Sequence, residues 1–146
     1  MLAPQVRAAV VAGMRDVMPA KTKVFAGPPA EAQGARSAWV QDAKTRFESR
    51  AFGAGARFAV EHVAVTVRLE AYREAGRQTQ AQAGALAAAD EMAGLLQGWV
   101  WDHPDLGGLV DAAEIGECDS AVDATEQGWC GWWTVEVVCT IHPNGT

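Results

Sequence analysis

The side chains with which this chain could hold a metal or attack a substrate are three histidines and three cysteines. Cys130, Cys139 and His142 fall near one another at the C-terminal end. Thiolates and imidazoles suit zinc, but structural zinc sites use short paired knuckles and four ligands. The spacing here is Cys-x8-Cys-x2-His with no evident fourth ligand, so no metal is expected. An odd cysteine count also argues against a closed disulfide framework, and Cys139 reads as a small apolar residue in a strand. His103 stands between acids in "WDHPD", where Asp102, His103 and Asp105 would make an acid–base trio. Adjacent residues seldom converge on one point and no nucleophile accompanies them. A histidine at a helix C-terminus, beside the negative end of the macrodipole, is the better reading.

Other catalytic signatures are missing. There is no HExxH, GxSxG, Walker A loop or CxxC. "GAGAR" (53–57) contains a GxG but precedes a strand, so it reads as a hairpin tip rather than a phosphate cradle at a helix N-terminus. The acids from Asp111 to Glu126 lack the alternation and central glycine of a calcium loop. The search for catalytic signatures thus comes back thin, and no cofactor is expected.

The elements that would position these residues follow from periodicity. Val6, Val10, Met14 and Val17 recur at helical spacing over 4–18, with Pro4 at the start and Pro19 at the end. "KVFAG" (23–27) and "SAWVQDAK" (37–44) are strand candidates. In "RFAVEHVAVTVRLEAYRE", Val63, Val65, Val67, Leu69 and Ala71 alternate with polar neighbours, one face of a strand. Phe58 and Val60 have the other parity, so a bulge is expected just before His62. A second helix is predicted near 79–101, with Thr79 and Gln82 at capping-box spacing. Its stripe is Leu86, Ala89, Ala93, Leu96 and Val100, widened by Met92, Leu95 and Trp99. Pro104 stops it, and "DHPDLGG" turns the chain into a strand at 109–118. "WWTVEVVCTIH" is the last strand. The order α-β-β-β-α-β-β predicts an α+β fold, a mixed or antiparallel sheet with two helices packed on one face. One domain spans 1–146, with a flexible basic loop at about 44–57 and an acidic loop at about 117–128.

Charge is divided along the chain. Residues 1–77 hold twelve bases and seven acids, a net +5, whereas 78–146 hold eleven acids and no Lys or Arg, a net −11. Either the surface is polar, able to meet a copy of itself head to tail, or the fold interleaves the halves and the fields partly cancel. No run is long and apolar enough for a membrane span, and the start lacks a signal-peptide pattern, so folding in a cytoplasm is expected. Trp132, on the outer parity of the last strand, and Trp129, in a loop, are candidates for a subunit contact.

The succession of segments resembles the tail terminator proteins of long-tailed bacteriophages, also called tail completion or minor tail proteins. It runs through an N-terminal helix, "VFAGPP", "AWVQDA", "HVAVTVRLEAY", an Ala-rich helix into "DHPDLGGLVDAAEI", and "TVEVVCTIHP". The order and spacing carry the resemblance, with "HPDLGGLV" its most telling piece. It implies a non-enzymatic protein that forms a homohexameric ring on the last ring of tail-tube protein. Such a ring stops tube polymerisation and offers a surface to the head–tail connector of the neck. DNA passes through its centre without sequence-specific binding. The location implied is the virion, at the neck end of the tail, after assembly in the host cytoplasm. On this reading Lys44, Arg46, Arg50 and Arg57 face the lumen or the tube, and Asp119, Asp123 and Glu126 the acidic partner side, with Trp129 and Trp132 at contacts. The alternatives are another neck or connector protein, or a monomeric small-molecule binder or hydrolase with a pocket around Asp102, His103 and Asp105.

Overall fold

The alternating run around residue 65 is the centre of the molecule: Val63, Val65, Val67, Leu69 and Ala71 are fully buried. The computed structural model describes residues 2–30, 34–52, 56–76 and 78–142, the side chains of 50–52, 56–58, 78 and 79 excepted. The elements are α1 (Ala3–Val17), β1 (Lys23–Phe25), β2 (Arg36–Phe52), β3 (Ala56–Glu74), α2 (Gln78–Asp102), β4 (Ala112–Ala124) and β5 (Gly128–Ile141). The five strands form one mixed sheet in the order β1-β2-β3-β5-β4. β1 pairs parallel to β2 and every other pair is antiparallel. This is the expected α+β architecture.

Both helices lie on the face that carries the odd-numbered residues of β3. The core there joins Val6, Val10 and Met14 of α1, Ala38 and Val40 of β2, and Val135, Val137 and Cys139 of β5 to Met92, Leu96 and Val100 of α2. α1 begins with Pro near its first turn and ends at Met18, which is extended, as a residue before proline must be. Its first turn is met by Glu61, whose Oε2 accepts the Leu2 N–H at 3.1 Å. A carboxylate is favourable at that positive helix end.

α2 sits flush on the sheet because small residues face it. Ala85, Ala88 and Ala89 are buried, and a β-carbon at Gly131 would come within 3.0 Å of the backbone of Ala85. The predicted stripe is buried at Ala89, Met92, Ala93, Leu96, Trp99 and Val100, but Leu86 is only half-buried and Leu95 is exposed. Trp133 Nε1 donates to Asp90 Oδ1 at 2.8 Å and ties helix to sheet on the outside of the contact. The side chain of Thr79, the predicted cap, lies outside the described residues.

"DHPDLGG" is a corner. Leu106, Gly107 and Gly108 have φ of 50°, 72° and 91°. Glycine takes such angles at no steric cost, whereas leucine does so only when packing holds it. Leu106 is buried in the core, which supplies that hold. Asp105 collects the turn, its backbone carbonyl accepting N–H bonds from Gly108 and Val110 and its side chain that of Gly107.

Several expected boundaries move. Residues 44–52 and 56–57 are not a loop but the far end of the β2–β3 hairpin, paired from Lys44↔Ala64 to Phe52↔Ala56. Gly53, Ala54 and Gly55 lie outside the described residues. The predicted acidic loop is strand as far as Ala124, paired with β5, and only 125–127 turn. Trp129 lies in β5, not in a loop. The bulge predicted before His62 is absent, since β3 pairs with β2 without a break there; the irregularity is on β2, between Val40 and Asp42. Val60 is accordingly buried outside the main core, on the other parity. The common reason is that polar alternation carries no signal: once a strand runs beyond the helices, neither of its faces needs to be apolar.

Asp111 fastens the end of β5. Its Oδ2 accepts the backbone N–H of His142 and lies 3.0 Å from His142 Nδ1. That backbone N–H is the main reason its pKa falls below the ordinary value. A carboxylate held low stabilises the fold above its ordinary value and loses that contribution as pH falls through the lowered one. The His142 amide resonance should titrate with a midpoint below the ordinary aspartate value of about 3.9. Asp111→Asn should abolish that titration. A midpoint at or above the ordinary value would contradict the contact.

Candidate functional site

With both helices on one face, the other face of the sheet carries no helix among the described residues. Side chains of directly paired residues share a face, so the register can be followed from edge to edge. Lys44 pairs with Ala64, Ala64 with Val138, and Val138 with Glu114, giving one rung across β2, β3, β5 and β4. The neighbouring rung is Arg46, His62, Thr140 and Ala112. Farther along, Trp39, Arg68, Thr134 and Asp119 form another.

Five of the residues expected at contacts are thus on one face. Lys44 and Arg46 stand on the β2 side, and Asp119, Asp123 and Trp132 on the β4–β5 side. The two edges differ in charge. On the open face β2 mixes Lys44 and Arg46 with Asp42 and Glu48, whereas β4 carries Glu114, Glu117, Asp119 and Asp123 with no Lys or Arg. Glu126 lies in the β4–β5 turn. Trp129 is on the helix-side parity, paired with Ala124 and Arg73, and so does not share the open face. Arg50 and Arg57 belong to the hairpin, where Arg50 pairs with Phe58 and Arg57 with Ala51; their side chains lie outside the described residues.

Sequence reasoning named Trp132 and Asp123 but missed Arg68 and Glu70, with which they organise the middle of this face. Arg68 sits 4.1 Å over the Trp132 ring, and its Nε donates to Glu70 Oε2 at 2.9 Å. Trp132 Nε1 donates to Asp123 Oδ2 at 2.8 Å. Each partly exposed contact is worth about 1 kcal/mol or less, so the chain fixes side-chain direction more than it stabilises the fold. The signal was present in the alternation: Arg68 and Glu70 have the outward parity of β3. At the distal end, Glu48 Oε2 lies 3.0 Å from His62 Nε2. Beyond Glu61↔Ile141, the last described pair with β5, the hairpin continues as a two-stranded ribbon among the described residues. A free two-stranded ribbon is marginal in water.

The other candidates do not form a site. His103 Nδ1 is 2.8 Å from the Trp99 carbonyl oxygen, an acceptor only, so that nitrogen carries the proton and donates. The ring also stacks on Trp99. The imidazole is thereby the closing bond of the α2 terminus, and its neighbours Asp102 and Asp105 line neither described depression. The larger depression, about 1070 Å³, is open and lies between the start of β2 and the β4–β5 turn, lined by Ser37, Glu70, Tyr72, Arg73, Glu126 and Cys130 among others. Burial and the Glu70 carboxylate push the Cys130 thiol up to about 11, so it is protonated at neutral pH and a poor nucleophile. Cys139 is fully buried and likewise pushed up to about 11 by burial. Among the described residues no His, Cys, Asp and Glu group is arranged to hold a metal ion, and no helix is long and apolar enough to cross a membrane.

The sequence matches no protein-family model and no curated protein.

Proposed function

We propose that this chain is the subunit of a phage tail terminator: a homohexameric ring that caps the tail tube, ends its polymerisation and presents a joining surface to the neck. The observation that carries the reading is the unequal charge of the two sheet edges on the open face: β4 carries acids alone, whereas β2 carries Lys44 and Arg46 beside Asp42 and Glu48. A ring needs two different, complementary patches on every subunit, because its contacts are heterologous. The resemblance in segment order supplies the identity of the ring; the unequal charge supplies a reason for copies to associate. DNA would thread the lumen, and the basic hairpin would meet phosphates without reading bases.

The test is direct. Purified protein imaged by negative stain, alone and with tail tubes, should give rings or capped tube ends. Virions made without it should show tails of irregular length and unjoined heads. Normal-length, head-attached tails in its absence would overturn the reading, as would turnover of a substrate by the pure protein. Arg50→Glu should weaken assembly or tail joining by about tenfold, near 1.4 kcal/mol, measured as the yield of joined virions. Unchanged yield would remove Arg50 from the contact. The open depression beside Tyr72 favours a second reading, a monomeric small-molecule binder, and a monomer that binds a metabolite and leaves tubes uncapped would support it.

A further inference from the structure

We propose that copies of this chain join through strand edges: residues 112–118 of β4 in one copy pair antiparallel with residues 40–46 of β2 in the next, continuing the sheet from subunit to subunit. This rests on the reading of the chain as a ring-forming subunit and names the contact that builds the ring.

Four features point to it. The first is that both edges are open among the described residues. β4 has only β5 beside it, and β2 has β1 beside it only from Ser37 to Trp39. A row of unpaired backbone donors and acceptors is a template for another strand. The second is direction. β2, β3, β5 and β4 alternate in sense across the sheet, so β4 runs opposite to β2. A rotation about an axis along the strands preserves each direction, and the new junction is antiparallel like those inside the subunit.

The third is the match of irregularities. On β2 the register shifts between Val40 and Asp42, and on β4 between Ile115 and Cys118. Followed through the rungs, Val40 leads to Val67, Val135 and Cys118, and Ala43 leads to Val65, Val137 and Ile115. Both edges therefore hold their extra residue at the same height. A bulge ordinarily spoils an edge for pairing. Two bulges at one height face each other, and the regular residues on either side stay in step.

The fourth is charge. In that register Lys44 of one copy stands opposite Glu114 of the next, on the open face; Arg46 stands opposite Ala112, and Asp42 falls at the height of the Gly116–Glu117 bulge. Within a single copy Lys44 and Glu114 end the same rung about 14 Å apart, three strand spacings, beyond the screening length of about 8 Å in physiological salt. Across the joined edge they are neighbours at about 5 Å. Both are exposed. β4 against β4 would instead oppose carboxylates to carboxylates, so like edges are discouraged and the head-to-tail contact is favoured.

The experiment uses the full chain and two charge-reversed variants, Lys44→Glu with Arg46→Glu, and Glu114→Lys with Glu117→Lys. All positions are exposed, and circular dichroism checks that each variant folds. Sedimentation and negative stain should show that each variant alone loses assembly by more than about tenfold in concentration. An equal mixture should recover it, because each altered edge then meets its complement, and so should the chain with all four changes. Lys44→Cys with Glu114→Cys, in a Cys118→Ser background, should form a disulfide between copies on oxidation. Rings or capped tubes that survive both reversals, with no such disulfide, would overturn this contact and leave the ring reading standing. A wild-type chain that stays monomeric both alone and on tail tubes would overturn both.

Discussion

Gly131→Val is expected to destabilise the protein by about 3 kcal/mol, the upper end of what overpacking costs. The added β-carbon would fall within 3.0 Å of the carbonyl oxygen and carbon of Ala85. Those atoms are helix backbone, already hydrogen-bonded along α2, and cannot swing aside as a side-chain end would. α2 would have to lift from β5 and take the buried Ala88, Ala89 and Met92 with it. For a chain of this length the loss corresponds to a fall of roughly 6–12 °C in thermal midpoint. Gly94 is the internal control. It lies on the same helix, and a β-carbon there meets nothing within 4 Å, so Gly94→Ala should raise stability by up to about 1 kcal/mol through helix propensity alone. Equal effects of the two substitutions, read from thermal unfolding, would show that the close approach of α2 to β5 is not as described.

The second large effect is expected at Leu96. It is fully buried among the packed helix and sheet residues, whereas Leu95 beside it is 37% exposed. Leu96→Ala removes apolar atoms and leaves a cavity that close-packed neighbours fill only in part, a cost of about 2–5 kcal/mol. Leu95→Ala should cost no more than about 0.5 kcal/mol, as surface changes usually do. Against a total stability of about 5–15 kcal/mol the first change is severe. Urea unfolding midpoints of the two variants separate them without ambiguity. A larger loss at Leu95 would mean that α2 is rotated on the sheet.

These two contrasts show which part of the fold was legible in the sequence. The alternation from Val63 to Ala71 and the helical spacing of Val6, Val10 and Met14 are consequences of burial, and burial is what an apolar pattern records. Leu86 and Leu95 misled because hydrophobicity alone does not set helix rotation; the small surface of Ala85 and the bare backbone of Gly131 set it. The second half of β4 and the distal part of β2 were missed for the opposite reason. Charged, polar and small residues dominate them, held in strands by backbone pairing, with register shifts at Gln41 and near Gly116. The candidate surface was half legible. Lys44, Arg46, Asp119, Asp123 and Trp132 could be named from charge and parity. That Lys44 shares a rung with Glu114 depends on the strand order β2-β3-β5-β4, which no local pattern encodes.

The opposed edges also bear on how a collar would accumulate in time. If they join as proposed, every incomplete arc keeps one free β4 edge and one free β2 edge, so each added subunit gains one contact and leaves the number of loose ends unchanged. Only the closing step gains a contact without immobilising another molecule, because its two ends are already tethered and meet at high effective concentration. Partial arcs would then be scarce intermediates, with single subunits and finished collars dominating the population.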